Sequence, residues 1–169
     1  RVAVGSLQSG SRFTAARLWL AAGLGHLNQD DIKYLSRGDS IEALEKGEVD
    51  VIVLVGAIPD PAIQDLSQRR NDIVLIPIPQ NIINKLAQQN FAYFGNPIPA
   101  KTYPGQTQSV LTLGMAALLI TNIRTEDKVV QQYMKLMEEG ADEIAASFYH
   151  AGFITYKTVR LGISLPLHP

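Results

Sequence analysis

Gly5, Ser6, Ser9, Gly10, Ser11 and Arg12 crowd one short stretch near the start of this sequence, and their types point to one kind of chemistry. An apolar strand over Arg1–Gly5 runs into the turn, and a helix starts at about Ser11 and continues through Phe13, Ala16, Leu20 and Leu24. A strand that ends in a small-residue turn and feeds a helix N-terminus makes an anion pocket. Free backbone N–H groups and the positive end of the helix dipole both point at it. Ser6, Ser9 and Ser11 can add hydroxyl donors. The stretch reads either as a seat for a carboxylate or similar anion, or as an ordinary N-cap with a flexible approach.

Catalytic patterns do not emerge. A nucleophile elbow needs Gly-x-Ser-x-Gly, and Gly5-x-x-x-Ser9-Gly10 misses that spacing. A phosphate-binding loop needs a Gly-Lys-Ser/Thr end, which the sequence lacks, and Gly5 and Gly10 lack the dinucleotide spacing. No cofactor is therefore expected. His26, His150 and His168 lie far apart, without the spacing of metal ligands. Asp30-Asp31, Glu138-Glu139 and Asp142-Glu143 flank helices and read as solvated. Backbone donors, hydroxyls, Arg12 and Tyr103 remain, an inventory that holds a ligand rather than turning one over.

The elements that position this stretch follow in order. Ile32–Ser36 reads as a second strand, and Asp39-Ser40-Ile41-Glu42 as a capping-box start of a helix that stops at Gly47. Asp50–Val55, β-branched nearly throughout, is the clearest strand and ends at Gly56-Ala57-Ile58-Pro59. Asp60 then caps a helix with Pro61 at its first position. Ile73–Ile78 reads as a fourth strand pushed toward an edge or crossover by Pro77 and Pro79. Gln80–Gln89 reads as a helix with Ile82, Ile83 and Leu86 inward. Such alternation predicts an α/β fold, a mostly parallel sheet covered by helices. Ligands in such sheets sit outside the carboxyl ends of the strands. Gly5–Ser11 and Gly56–Pro59, about fifty residues apart, should therefore line one edge.

From Phe91 the character changes. Asn96–Gln106, with Pro97, Pro99, Pro104 and Gly105, cannot be regular helix, and Tyr103 within it is either a ligand contact or a packing residue. Val110–Ile120 is one long strand, or two broken near Gly114. Thr125 is expected to cap a helix with an inward stripe of Val129, Val130, Tyr133, Leu136 and Met137, and Met134 and Met137 read as core filler. Ala141–His150, with Ile144 and Phe148 inward, and Ile154–Leu161 read as further helices. Trp19 is expected in the core or under a loop, and His26 as a partner of the first helix's C-terminus.

Composition bounds the partners. Fifteen Lys+Arg against 16 Asp+Glu give a formal charge of −1 over 169 residues, so there is no basic field for nucleic acid. The absence of cysteine removes disulfides and thiolate sites. No apolar run reaches the ~18 residues of a membrane span. The sequence begins inside a strand and stops at Leu165–Pro169, so a longer parent is expected.

Several motifs, in order along the chain, resemble the solute-binding subunits of TRAP-type transporters of the TAXI family, a branch of the type 2 periplasmic binding proteins. Val2-Ala3-Val4-Gly5-x-x-x-Ser9-Gly10-Ser11 is similar to that family's strand and Gly-Ser-Gly-Thr turn, with Ser11 for Thr. Glu42-Ala43-Leu44 with Gly47-Glu48-Val49-Asp50 resembles a second motif, and Val55–Ile63 its Gly-Gly-Val-Pro-x-Pro-Ala-Ile turn, with Ala57 for Gly. Ile98-Pro99-Ala100-x-Thr102-Tyr103-x-Gly105-Gln106 resembles its Ile-Pro-x-Gly-x-Tyr-x-Gly-Gln loop, with Ala100 for Gly. Leu165-Pro166-Leu167-His168-Pro169 resembles its Pro-Leu-His-Pro.

The resemblance implies two α/β lobes closing on a small anionic solute, an organic acid or an acidic amino acid. On this reading residues 1–112 form the second, three-layer helix/sheet/helix lobe, and residues 113–169 are a return segment with C-terminal helices that packs on a first lobe. Ser9, Gly10, Ser11, Gly56, Pro59 and Tyr103 carry over as solute-binding candidates. The implied setting is periplasmic or extracytoplasmic, with membrane transporter subunits as partners and room for a membrane anchor in the parent. A lone lobe would expose its half of the cleft and could self-associate there. Two rival readings share the fold: an effector-sensing domain of a transcriptional or signalling protein, and an enzyme acting on a small metabolite.

Overall fold

The computed structural model describes residues 1–25, 28–90, 92–147, 160 and 162–167. The expectations for His26, Phe91 and the helix over 154–161 lie outside the described residues. So do the inward side chains assigned to Ile144 and Phe148.

Strand β1 (Val2–Ala3) is the centre of a parallel sheet of order β2-β1-β3, with β2 at Ile32–Lys33 and β3 at Val51–Ile52. Val2 stands beside Ile32 on one side and Val51 on the other. The regular ladders are shorter than the apolar runs predicted, although Val4 N–H to Lys33 O (3.1 Å) and Val53 N–H to Ala3 O (2.9 Å) extend them by single bonds. β1 stops because Gly5, at φ +88°, turns the chain. At the other end the Arg1 guanidinium ties β1 to the β3 approach through Gly47 O (2.8 Å) and Asp50 Oδ1 (3.0 Å).

Helices cover this sheet. Helix α1 (Gly10–Ala22) ends at Gly23, whose φ of +71° is a left-handed cap. Its Ala15 and Ala21 are buried and Trp19 is partly buried, whereas Phe13, Leu20 and Leu24 face solvent, Leu20 at 73% exposure. Helix α2 (Arg37–Glu45) begins a turn earlier than the Asp39 start expected. Ser36 is its cap: Ser36 Oγ accepts from Asp39 N–H (3.2 Å) and donates to the Asp39 carboxylate (2.7 Å). Asp39 thus sits three residues after the cap, where a carboxylate completes the capping pair. Helix α3 (Pro61–Arg69) starts as predicted from Asp60 and Pro61.

The fourth strand is not formed. Burial alternates over residues 73–76, with Ile73 and Leu75 partly buried and Val74 and Ile76 exposed, yet only Ile78 joins a ladder, donating to Leu111 O (2.9 Å). In an extended segment alternate N–H groups point to opposite sides. The side opposite Ile78 would need donors at 77 and 79, and both are proline.

Helix α4 (Gln80–Gln89) buries Ile82, Ile83 and Leu86 as its spacing predicts. Strands β4 (Tyr93–Ile98) and β5 (Val110–Met115) then form a separate antiparallel pair. Pro97 fits inside β4 because its opposite residue, Leu111, turns its carbonyl to Ile78. Gly114 is not a break: it lies opposite Phe94, and a Cβ there would come within 2.6 Å of that ring. Helix α5 (Asp127–Glu139) is capped at Glu126 without a side-chain bond, and Thr125 Oγ1 instead meets Thr121 Oγ1 (2.8 Å). Its stripe is not core: Val129, Tyr133, Met134 and Leu136 are exposed. Helix α6 (Ala141–Ser147) follows. Among the described residues no helix is long and apolar enough to cross a membrane.

Two clusters make the interior. Ala3, Ala43 and Val49 pack with Leu35, Leu44 and Ile52 between sheet and α2. Ala21, Ile82, Leu86 and Tyr93 pack with Leu18, Ile78 and Leu113 where α1, α4 and the antiparallel pair meet. Leu86, 1% exposed, is central to the second. Replacing Leu86 by alanine should cost about 2–5 kcal/mol by lost burial and a residual cavity. Urea unfolding would report this as a lower midpoint at unchanged slope. A loss under about 0.5 kcal/mol, the range of surface substitutions, would contradict this packing.

Candidate functional site

Because β1, β2 and β3 are parallel, the loops that follow them share one edge. Ser9 is the N-cap of α1, its Oγ accepting from Arg12 N–H (3.3 Å). The turn before it is tight: a Cβ on Gly5 would collide with Ser9 Oγ and come within 2.9 Å of Ser11 Cβ. Gly10 opens the helix and is exposed. Ser11 reaches across to the loop after β3, its Oγ accepting from Val55 N–H (3.1 Å). The two loops linked by the edge argument are thus joined by a hydrogen bond. A hydroxyl that accepts keeps its own O–H to donate. Among the described residues no acceptor is bonded to the Gly10 or Ser11 N–H.

The Gly56–Pro59 turn is the second wall. Ile58-Pro59 is a cis peptide and Pro59 is partly buried. Asp60 ends the turn, and its Oδ1 accepts from Ala62 N–H (3.0 Å) and Ile63 N–H (3.3 Å). Its Oδ2 forms an ion pair with Arg37 Nη2, and Arg37 Nη1 donates to Val55 O (3.3 Å). Gly56 lies against this pair; a Cβ there would meet Asp60 Oδ2 at 3.1 Å and Arg37 Nη1 at 3.2 Å.

Tyr103 is 6% exposed, and its hydroxyl accepts from Asp60 N–H (2.9 Å). Of the two roles open to it, its contacts are those of a packing residue that holds the turn. Gln106 folds the loop that presents it: Gln106 Oε1 accepts from Tyr103 N–H (3.2 Å), and Nε2 donates to Pro99 O (3.0 Å) and Gln108 O (2.9 Å). Arg12 is spent nearby, donating to Leu7 O (2.6 Å) with its guanidinium 5.2 Å from the Tyr34 ring centroid. Sequence reasoning missed Arg37. Its signal was available, since it opens the helix that follows β2, beside β1, and the same edge rule applies to that loop.

One surface hollow is lined by Arg17, Leu86, Gln89, Asn90 and Tyr93, and another by Gln64 and the 101–107 loop, Tyr103 included. Among the described residues no group of three His, Asp or Glu side chains could hold a metal ion.

A model of the NMT1-like family matches residues 1–169. The chain belongs to the NMT1-like family. This is a family of periplasmic-binding-like binding proteins, and membership points to a solute-binding receptor in general terms. The helix-flanked, mostly parallel sheet agrees with an NMT1-like lobe. No curated protein matches the chain.

Burial raises the Tyr103 phenol above its ordinary value near 10, and the Arg37 charge opposes this more weakly. Between pH about 10 and the raised value the unfolded chain has lost this proton while the folded chain keeps it. Stability should therefore be full below pH 10 and fall as pH rises through that window. Tyr103→Phe should cost about 1 kcal/mol at pH 7 by leaving Asp60 N–H without its partner. It should also remove part of the alkaline fall. Chemical unfolding of both forms at pH 7 and pH 11 checks this, and an unchanged alkaline fall in the variant would contradict it.

Proposed function

We propose that this chain belongs to an extracytoplasmic, periplasmic-type solute receptor of the TAXI branch of TRAP transporters. It recognises a small anionic solute, an organic acid or an acidic amino acid, and hands it to membrane transporter subunits. The observation that carries this reading is the Val55 N–H to Ser11 Oγ bond, which joins the two loops whose motifs resemble that branch. The open N–H groups of Gly10 and Ser11 and the hydroxyls of Ser9 and Ser11 converge with the α1 dipole on the same edge, which supports an anion there. Gly56 and Pro59 form the facing wall, and Tyr103 acts through Asp60.

In this reading residues 1–112 are one lobe, and β5 carries the chain into the return segment 113–169. Solute closes this lobe on another, and the closed form is what the transporter reads. The −1 formal charge supports a solute drawn in by directed donors rather than by a broad positive field.

Thermal-shift titration of the full chain with succinate, 2-oxoglutarate and L-glutamate tests the reading. At least one acid should raise Tm saturably, because ligand that binds only the folded state stabilises it by mass action. The Ser9→Ala/Ser11→Ala double variant should need about 10-fold more acid for the same shift, the loss of one or two hydrogen bonds. No shift with any of the acids would overturn the proposal.

A further inference from the structure

Arg37 is the charged side chain on this edge that the proposed function leaves unused. Its guanidinium carries five N–H donors, and two are engaged, one on Val55 O and one on Asp60 Oδ2. The side chain is 42% exposed, whereas Asp60 is 10% exposed. Asp60 is immobilised from the other side by Ala62 N–H, Ile63 N–H and Tyr103 Oη. An arginine held at Nη1 by a carbonyl and at Nη2 by a fixed carboxylate is restrained in orientation and keeps three further N–H donors. That is the arrangement a planar carboxylate recognises best. Gly56 lets the backbone lie close against this pair, since a Cβ there would crowd the two Nη atoms at 3.2 and 3.3 Å. The other arginine of this edge, Arg12, is turned to its own loop and to Tyr34.

We infer that Arg37 binds the carboxylate of the solute and sets the preference for acids over their amides. This rests on the anion reading given above. Asp60 neutralises the formal charge of Arg37 without using its outer donors, so recognition depends on fork geometry more than on net charge.

Calorimetric titration of the full chain with succinate and L-glutamate, each against its amide (succinamide, L-glutamine), tests the inference. Wild type should prefer the acid. Arg37→Gln should weaken acid binding by about 10- to 100-fold, the loss of charged hydrogen bonds, and should erase the preference over the amide. Arg37→Lys keeps the charge without the fork and should recover only part of the affinity. Circular dichroism and urea unfolding confirm that both variants are folded, and a merely structural role would not change the acid-to-amide ratio. Acid binding that survives Arg37→Gln with its preference intact overturns this inference and leaves the anion receptor standing. Failure of every acid to bind wild type overturns both.

Discussion

Asp60 is the residue that three otherwise separate parts of this structure share. Its Oδ1 closes the first turn of α3, its Oδ2 holds Arg37 at the head of α2, and its backbone N–H reaches Tyr103 in the 99–106 loop. A carboxylate withdrawn this far from water is tolerable only when its lone pairs are met by donors. Here two amides and a guanidinium meet them. The bonds are therefore interdependent: losing the guanidinium leaves a nearly buried charge short of partners, and moving the amides unseats the guanidinium. The turn after β3 consequently has a rigid far end, and a ligand meeting it meets a surface already formed.

The parallel sheet sets direction more than stability. Its ladders are two residues long on each side of β1, and the larger apolar side chains are buried elsewhere, by α3, α4 and the antiparallel pair. What the short ladders accomplish is alignment. They send three strand ends to one side, so that the head of α1, the head of α2 and the Gly56–Pro59 turn arrive together. This economy suits a binding protein of the NMT1-like family, where backbone donors and a few polar side chains have to be aimed.

Caps and breakers were the legible part of the fold. Gly47, Asp60-Pro61 and the inward spacing of Ile82, Ile83 and Leu86 are local signals read by local physics, and each holds in the structure. The meeting of the loops after β1 and β3 was legible too, since it needs only strand direction. What failed depended on partners that a sequence does not reveal. Residues 73–78 look like a strand by composition, but a strand is a pairing, and only Ile78 finds one. The α5 stripe looks like core by period, but period says which face is apolar, not that another element covers it. The edge rule could have placed Arg37 beside the site, but not its pairing with Asp60, which lies 23 positions further along the chain (60 minus 37).

The prolines at 77 and 79 have a consequence for how this molecule behaves in company. Val74, 78% exposed, and Ile76 make the kind of bare apolar edge on which a second chain adds itself, the first step of a growing cross-β stack. Stacking of that kind propagates only if each layer hands hydrogen bonds to the next. With proline at two alternate positions the layer lacks two of those donors on one side. The segment stays apolar, and at 77 and 79 a second copy finds no donor to pair with.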